Sequence, residues 1–184
     1  MGGGWRHTTG RDGLGRMTTA PDATSSSDLP RRAQDVQAAL DEAGAEGRVR
    51  VLDEPARTAK DAAEAMGCEV GAIANSLVIM ADGAPILAMT SGAHRVDFEV
   101  LERALGVVEV HMASADEVRY ATGQAIGGVA PVGHPAPLRT VVDEALRQHE
   151  QLWAAGGTPD TLFPITFDEL VRVTGGEVVQ VAGD

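Results

Sequence analysis

At 184 residues, with 43% apolar but only 3% aromatic residues, the chain suits one domain whose core rests on Val, Leu, Ile and Ala. The net charge of −12 argues against a broad nucleic-acid-binding surface, although a local pocket could still recognise one end of a nucleic acid. No apolar run is long enough to cross a bilayer, and the N-terminal composition leads us to expect no secretory signal. Because Cys68 is the single cysteine, an internal disulfide is excluded, and we expect a cytoplasmic protein without a membrane partner.

The N-terminal region differs in composition from the rest of the chain. Residues 1–27 are rich in Gly, Arg, Ser and Thr, which predicts a disordered tail followed by one ordered domain over 28–184. Asp28 is a candidate cap for the first helix, with Pro30 in its first turn and Gly44 as its stop.

The next segments alternate between strand and helix signals. A strand is predicted over 48–52, and Thr58 with Asp61 resembles a capping box that begins a helix ending at Gly67. Apolar runs over 76–80 and 85–89 flank an Asp-Gly turn, which predicts a β-hairpin.

The second half of the chain also contains both predicted helices and predicted strands. Helices are predicted over 96–105, from the capping box Ser114/Glu117, briefly from Asp143, and from the capping box Thr166/Glu169. Strands are predicted over 107–111, 138–142, 151–155, 161–165 and 177–181. Because strands and helices do not alternate strictly, we expect an α+β domain with a mixed, largely antiparallel sheet flanked by helices.

A loop rich in glycine and proline, residues 122–137, is the most unusual stretch. It holds four glycines and three prolines and carries no formal charge unless His134 is protonated. Such a loop is rigid and irregular, and its main-chain amides can bind an anion or an oxyanion without a charged side chain. The alternative interpretation is a plain connection between strands.

Chemical motifs elsewhere are sparse. The five histidines form no HxH or HxxxH pair, and neither a Walker loop nor a GxSxG elbow is present, so we predict no metal site and no cofactor. Four loops rich in small residues remain as candidate pocket walls, namely 74–76, 90–94, 127–134 and 154–158. If they converge, His94 and His134 are the only pocket groups that titrate near pH 7.

The order of these motifs resembles the YbaK/ProX family, the free-standing relatives of the editing domain of prolyl-tRNA synthetases. The resemblance covers about residues 30–184. It depends on the helix end Ala63–Cys68, the strand 75–79, the GxxxP loop 127–131, the turn 153–157 and the helix containing Asp168, in that order.

The resemblance implies a barrel-like mixed sheet and hydrolysis of the ester between a misattached amino acid and the terminal ribose of tRNA. It implies two partners, the aminoacylated tRNA acceptor end and an aminoacyl-tRNA synthetase. Gly127 would present its amide to the ester, while Asn75 stands where the family has a lysine that contacts the substrate. We therefore predict Gly127 and Asn75 as catalytic residues. The predicted substrate-binding residues are Ser76, Ser91, Gly92, His94, Gly128, Pro131, His134, Gly156 and Gly157.

Two functions follow from these predictions. The first is an aminoacyl-tRNA deacylase acting on Ala- or Cys-tRNA of the proline acceptor, in which an amide-lined pocket stabilises a tetrahedral oxyanion. The second is a catalytically altered or inactive homologue that binds a small amino-acid-like or nucleotide ligand, because asparagine cannot carry the charge of a lysine.

Overall fold

The computed structural model describes residues 21–183, so residues 1–20 of the predicted tail lie outside the described part of the chain. The described contacts begin before the predicted domain boundary at residue 28. The Thr24 amide donates to the Val49 carbonyl at 3.2 Å, and the Val51 amide donates to Thr24 Oγ1 at 3.1 Å. Thr24 therefore lies beside the first strand.

Five α-helices and eight strands make up the described chain, together with three short 3₁₀ turns. The helices are α1 (Arg31–Glu42), α2 (Ala59–Met66), α3 (Phe98–Leu105), α4 (Ala115–Thr122) and α5 (Phe167–Thr174). The strands are β1 (Arg50–Val51), β2 (Ile73–Ala81), β3 (Ala84–Ser91), β4 (Val110–Met112), β5 (Thr140–Asp143), β6 (Leu152–Ala155), β7 (Thr161–Ile165) and β8 (Glu177–Val179). The 3₁₀ turns are Ser26–Asp28, Val70–Ala72 and Glu144–Gln148. None of the helices in residues 21–183 has the length and hydropathy that a bilayer crossing requires.

The predicted capping boxes of three helices are confirmed. At the start of α2, α4 and α5, the N-cap hydroxyl accepts from the amide three residues on, and the acid at that position accepts from the N-cap amide. The predicted cap at Asp28 is wrong, because Asp28 lies in a 3₁₀ turn and α1 begins at Arg31, directly after Pro30.

One open sheet runs through the domain in the order β1-β7-β6-β2-β3-β5-β8, with β4 paired to β2 off this path. The predicted hairpin is β2–β3, paired from Ala74↔Ser91 to Ala81↔Ala84. Pairings are antiparallel for β1–β7, β2–β3, β2–β4 and β6–β7, and parallel for β2–β6, β3–β5 and β5–β8. The mixed α+β prediction is confirmed, although the sheet does not close into a barrel.

The sheet divides along one edge of β2, and this division positions the candidate site. On that edge β6 pairs with Ile73 and Ala74, whereas β4 pairs only from Ile79 onwards. Backbone groups alternate between the two edges of a strand. The Ile73 carbonyl accepts from the Gly92 amide on the β3 side of the strand, whereas the Val78 carbonyl accepts from the Ala113 amide on the side of β6 and β4. Ser76 is two residues from Val78, so its main-chain groups face the same side, in the gap between β6 and β4.

Three apolar clusters hold these layers together. The largest packs α1 and α5 against one face of the sheet and contains Leu40, Phe163 and Leu170, each fully buried. A second cluster packs α3 on the opposite face through Leu101, and a third seats α2 on Trp153. The α2 cluster fixes that helix over the divided edge of β2.

Candidate active site

A cavity of about 310 Å³ lies where the sheet divides. Its walls come from the start of α2, the first half of β2, the glycine-rich loop, the end of β6 and the start of β7. The lining residues from β2 and the loop are Ile73, Ala74, Asn75, Ser76, Leu77, Ile126, Gly127 and Val129. The two predicted catalytic residues, Asn75 and Gly127, are distant in sequence and thus share one cavity.

The two polar β2 side chains at the cavity are weakly engaged. The carboxamide of Asn75 has no hydrogen-bond partner among residues 21–183, and its residue is half-buried. Ser76 Oγ donates only to the thioether sulfur of Met89 at 3.3 Å, and a thioether is a weak acceptor. Both groups can therefore turn to a ligand at little cost in lost hydrogen bonds.

Gly127 is held in a tight turn at the cavity wall. The Gly128 amide donates to the Ala125 carbonyl at 3.0 Å and closes a four-residue turn, in which Gly127 has φ +91°. A positive φ at this third position is typical of a type II turn and favours glycine. The turn uses the Gly128 amide, and the Gly127 amide makes no hydrogen bond to the part of the chain that the structure describes. A Cβ placed on Gly127 would meet no heavy atom within 4 Å.

The loop behind this turn is braced by Gln124, a residue that sequence reasoning missed. Its buried side chain accepts from the Ala130 amide at 2.7 Å and donates to the Val132 carbonyl at 3.5 Å. Gly128 fits for a steric reason, because a Cβ there would lie 2.6 Å from the Thr158 backbone. The loop therefore packs at Gly128 directly against the backbone of the turn after β6.

The glycine pair after β6 has a packing environment of its own. A Cβ at Gly156 would meet Thr161 and Val49 at 2.9 Å, and one at Gly157 would lie 2.9 Å from the Arg32 carbonyl on α1. Neither glycine lines the cavity, whereas their neighbours Ala155 and Pro159 do. A substrate contact by Gly156 or Gly157 stays a prediction.

Ser91, Gly92 and His94 lie at the end of β3, outside the lining of the cavity. The buried carboxylate of Asp143 accepts from the Ser91 amide and contacts His94 Nδ1, each at 3.0 Å. Ser91 Oγ donates to the Gly71 carbonyl, and a Cβ at Gly92 would lie 2.4 Å from the Val70 carbonyl. These contacts join β3 to β5 and to the segment before β2.

Pro131 and His134 face a different cleft, next to α5, with a volume of about 370 Å³. His134 Nε2 lies 2.8 Å from the Ala130 carbonyl and donates to it. Burial lowers the pKa of His134 below 6.5, and the bond to Ala130 opposes that shift only in part. The loop 127–134 therefore divides, with its first residues at the cavity and its last ones elsewhere.

Comparisons with known proteins bear on this geometry. The family model described as "Aminoacyl-tRNA editing domain" matches residues 53–173, which include Asn75 and Gly127. The chain belongs to the aminoacyl-tRNA editing domain family. The predicted resemblance is confirmed, and with it the general assignment to tRNA editing and translation fidelity.

Individual relatives of the editing domain agree with the family match. A proline–tRNA ligase of Citrifermentans bemidjiense is 30% identical over 105 residues, which is 57% of this chain and 18% of the ligase. The YwhH protein of Bacillus subtilis is 28% identical over 134 residues, covering 72% of this chain and 85% of that protein. A solved structure described as a candidate trans-editing enzyme for prolyl-tRNA synthetase is 42% identical, with a TM-score of 0.81, and covers 85% of this chain and 100% of its own. The match thus spans between 16% and 29% of the length of the ligases.

The editing-domain cavity has few charged or titratable groups. Among the described residues that line it, Arg57 is the one with a charged side chain, and neither a histidine nor a carboxylate is present. The Cys68 thiol lies outside this lining, and burial raises its pKa, which disfavours the thiolate. Within residues 21–183, no three His, Cys, Asp or Glu side chains gather as metal ligands. The cavity is therefore suited to hydrogen bonding by amides and hydroxyls.

His134 makes a testable contribution to the pH dependence of stability. Its pKa in the unfolded chain is about 6.5, whereas burial lowers it in the folded state, so acid protonates the unfolded chain first. We expect the free energy of unfolding to fall as the pH drops below 6.5. In His134→Gln, which keeps an N–H donor for Ala130 but cannot titrate, this fall should be smaller. Urea unfolding at pH 7.5 and 5.5 measures the difference, and equal falls in the two proteins would contradict the prediction.

Proposed function

We propose that the protein hydrolyses the ester of a mischarged tRNA, with alanyl- or cysteinyl-tRNA of the proline acceptor as substrate. The observation that carries the proposal is the convergence of Asn75, Ser76 and Gly127 on one cavity. The family match supports tRNA editing in general, and the similarity to proline–tRNA ligases supports the tRNA of the proline acceptor as the substrate. Those enzymes are much longer than this chain, so their activity is assigned to it here only as a proposal.

The chemistry requires a water and a polarised carbonyl. The water oxygen attacks the ester carbonyl carbon, and negative charge develops on the carbonyl oxygen. The Gly127 amide stabilises this oxyanion, because preorganised donors act strongly in a partly desolvated site. The bond between the carbonyl carbon and the ribose oxygen then breaks, the ribose oxygen takes a proton, and the free amino acid leaves.

Side chains around this centre orient the substrate and do not exchange protons with it. Asn75 offers both a donor and an acceptor, and Ser76 offers a hydroxyl, so together they can hold the α-amino group and the ribose hydroxyls. Because no histidine or carboxylate lines the cavity, the proton acceptor is the water network or a neighbouring ribose hydroxyl of the substrate. Rate enhancement then comes from positioning and electrostatics.

The size of the cavity supports a small aminoacyl group. A volume of about 310 Å³ lies at the lower end of ligand pockets, which run from about 300 to about 1,000 Å³. Ala62, Ile73 and Leu162 form an apolar part of the wall and suit a short side chain. Alanine and cysteine fit such a wall better than a bulky or charged residue.

The deciding experiment is a deacylation assay with the full-length protein at micromolar concentration. Alanyl- and cysteinyl-tRNA of the proline acceptor serve as substrates, and correctly charged prolyl-tRNA serves as the control. We expect release of alanine or cysteine well above the spontaneous rate, with prolyl-tRNA spared. Release no faster than the spontaneous rate from both mischarged tRNAs would contradict the proposed hydrolysis.

A second candidate function is a binding module on the same fold. It is favoured by the neutral Asn75 in the cavity, where a cationic side chain would give stronger contact with an anionic substrate. Such a module would bind a small amino-acid-like or nucleotide ligand without turnover. Saturable binding combined with absent deacylation would support it.

A further inference from the structure

Arg57 is an exposed residue of the cavity wall, directly before the N-cap residue Thr58 of α2. It lines the 310 Å³ cavity together with Asn75 and Gly127. Its main chain is fixed, because the Arg57 and Thr58 amides both donate to Asp61 Oδ2 at 3.0 Å. The side chain of Arg57 thus starts from an anchored backbone, and the residue is exposed to solvent while it lines the cavity.

The guanidinium of Arg57 has no ion-pair partner within 4 Å among the described residues, although acidic groups are near. Arg57 also lines a second, wider cleft of about 1000 Å³, together with the acidic residues Asp53, Glu54, Asp61 and Glu64. Asp61 is occupied by two amides at the start of α2, and Glu64 contacts Lys60. Arg57 is shared by the two cavities, and an anion that contacts it from the smaller cavity avoids the carboxylates that line the wide cleft.

We propose that Arg57 binds the phosphate of the terminal nucleotide of the acceptor end and thereby positions the ester in the cavity. This inference rests on the proposed function for the identity of the ligand. The terminal ribose carries both the aminoacyl ester and that phosphate, so a contact to one fixes the other. A guanidinium suits the task because its planar donors match phosphate oxygens in pairs. In a protein of net charge −12, one such cation in the cavity wall gives local recognition without a basic surface.

The first test is equilibrium binding of 5′-AMP and of adenosine, which differ only in the phosphate. The wild-type protein should bind AMP about tenfold more tightly than adenosine, a ratio typical of one charge-assisted contact. Arg57→Ala should bind both about equally, and Arg57→Lys should keep part of the preference. Lys60→Ala is the matched control, since Lys60 is on the adjoining helix, carries the same charge and does not line the cavity, and it should keep the full preference.

The second test is kinetic. With aminoacyl-tRNA, Arg57→Ala should raise KM about tenfold and leave kcat nearly unchanged, because it removes binding and not the reaction centre. The slope of log KM against log salt should fall by about 0.7, as expected for one lost phosphate contact to a single strand. Unchanged unfolding midpoints in urea would show that these effects are local.

The outcomes separate this inference from the proposed hydrolysis. An AMP preference that survives in Arg57→Ala, or a wild-type protein that binds AMP no better than adenosine, overturns the role of Arg57 even if deacylation is found. A preference lost only in Arg57→Ala supports that role even if the wild-type protein proves unable to hydrolyse the ester. Absence of AMP binding at millimolar concentration also overturns the inference.

Discussion

Replacing Gly127 with alanine should reduce the deacylation rate at least 100-fold under single-turnover conditions. Loss of one oxyanion donor costs about 10²–10³ in kcat in enzymes that use such a donor. The turn holds Gly127 at φ +91°, a conformation that alanine disfavours, so the substitution moves the amide away from its position. Because a Cβ at Gly127 meets no protein atom within 4 Å, it would also project into free space beside the cavity.

The matched control is Gly83→Ala in the β2–β3 turn. Gly83 has a similar φ of +81°, and a Cβ added to it would likewise meet no heavy atom within 4 Å, but it lies about 20 Å along β2 from Asn75. Both variants should lose about 1 kcal/mol of unfolding free energy through backbone strain. Only Gly127→Ala should lose activity, measured with alanyl-tRNA of the proline acceptor. Equal activity in the two variants would contradict the role of the Gly127 amide.

The elements that could be predicted from sequence are those whose cause is local. Thr58 and Asp61, Ser114 and Glu117, and Thr166 and Glu169 bond within one helical turn, so a few consecutive residues contain the whole interaction. The β2–β3 hairpin depends on Asp82-Gly83 in the same way. Strand ends were less predictable. The strand predicted over 107–111 is observed over Val110–Met112, because pairing with β2 sets its limits.

The site could be predicted only in part, and for a physical reason. The motif order brought Asn75 and Gly127 together, and the structure places both at one cavity. His94 and His134 were predicted as pocket groups by their chemistry, but their neighbours are set by long-range packing against Asp143 and by the Ala130 carbonyl. Gln124 and Arg57 carry no motif. The sequence signals that could have found them are a glutamine inside a glycine-rich loop and a charge directly before a capping box.

Replacing Asp143 with alanine should lower the free energy of unfolding by about 3 kcal/mol. The side chain of Asp143 is 1% exposed and accepts from the Ser91 amide, the Ala145 amide and His94, so it joins the end of β3 to the 3₁₀ turn after β5. Each buried donor left without a partner costs about 1–3 kcal/mol. Urea unfolding followed by circular dichroism measures the change.

Asp97→Ala is the comparison variant, because it shows whether the loss of stability depends on the burial of the carboxylate or on the number of hydrogen bonds that it accepts. Asp97 also accepts from two amides, those of Glu99 and Val100 at the start of α3, but these bonds are exposed to solvent. Water can replace the lost acceptor there, so its removal should cost only about 1 kcal/mol. A loss at Asp143 no larger than that at Asp97 would contradict its role as the joint between β3 and β5. Because Ser91 and His94 are held by Asp143 and lie outside the cavity lining, we expect deacylation per folded Asp143→Ala molecule to change far less than in Gly127→Ala.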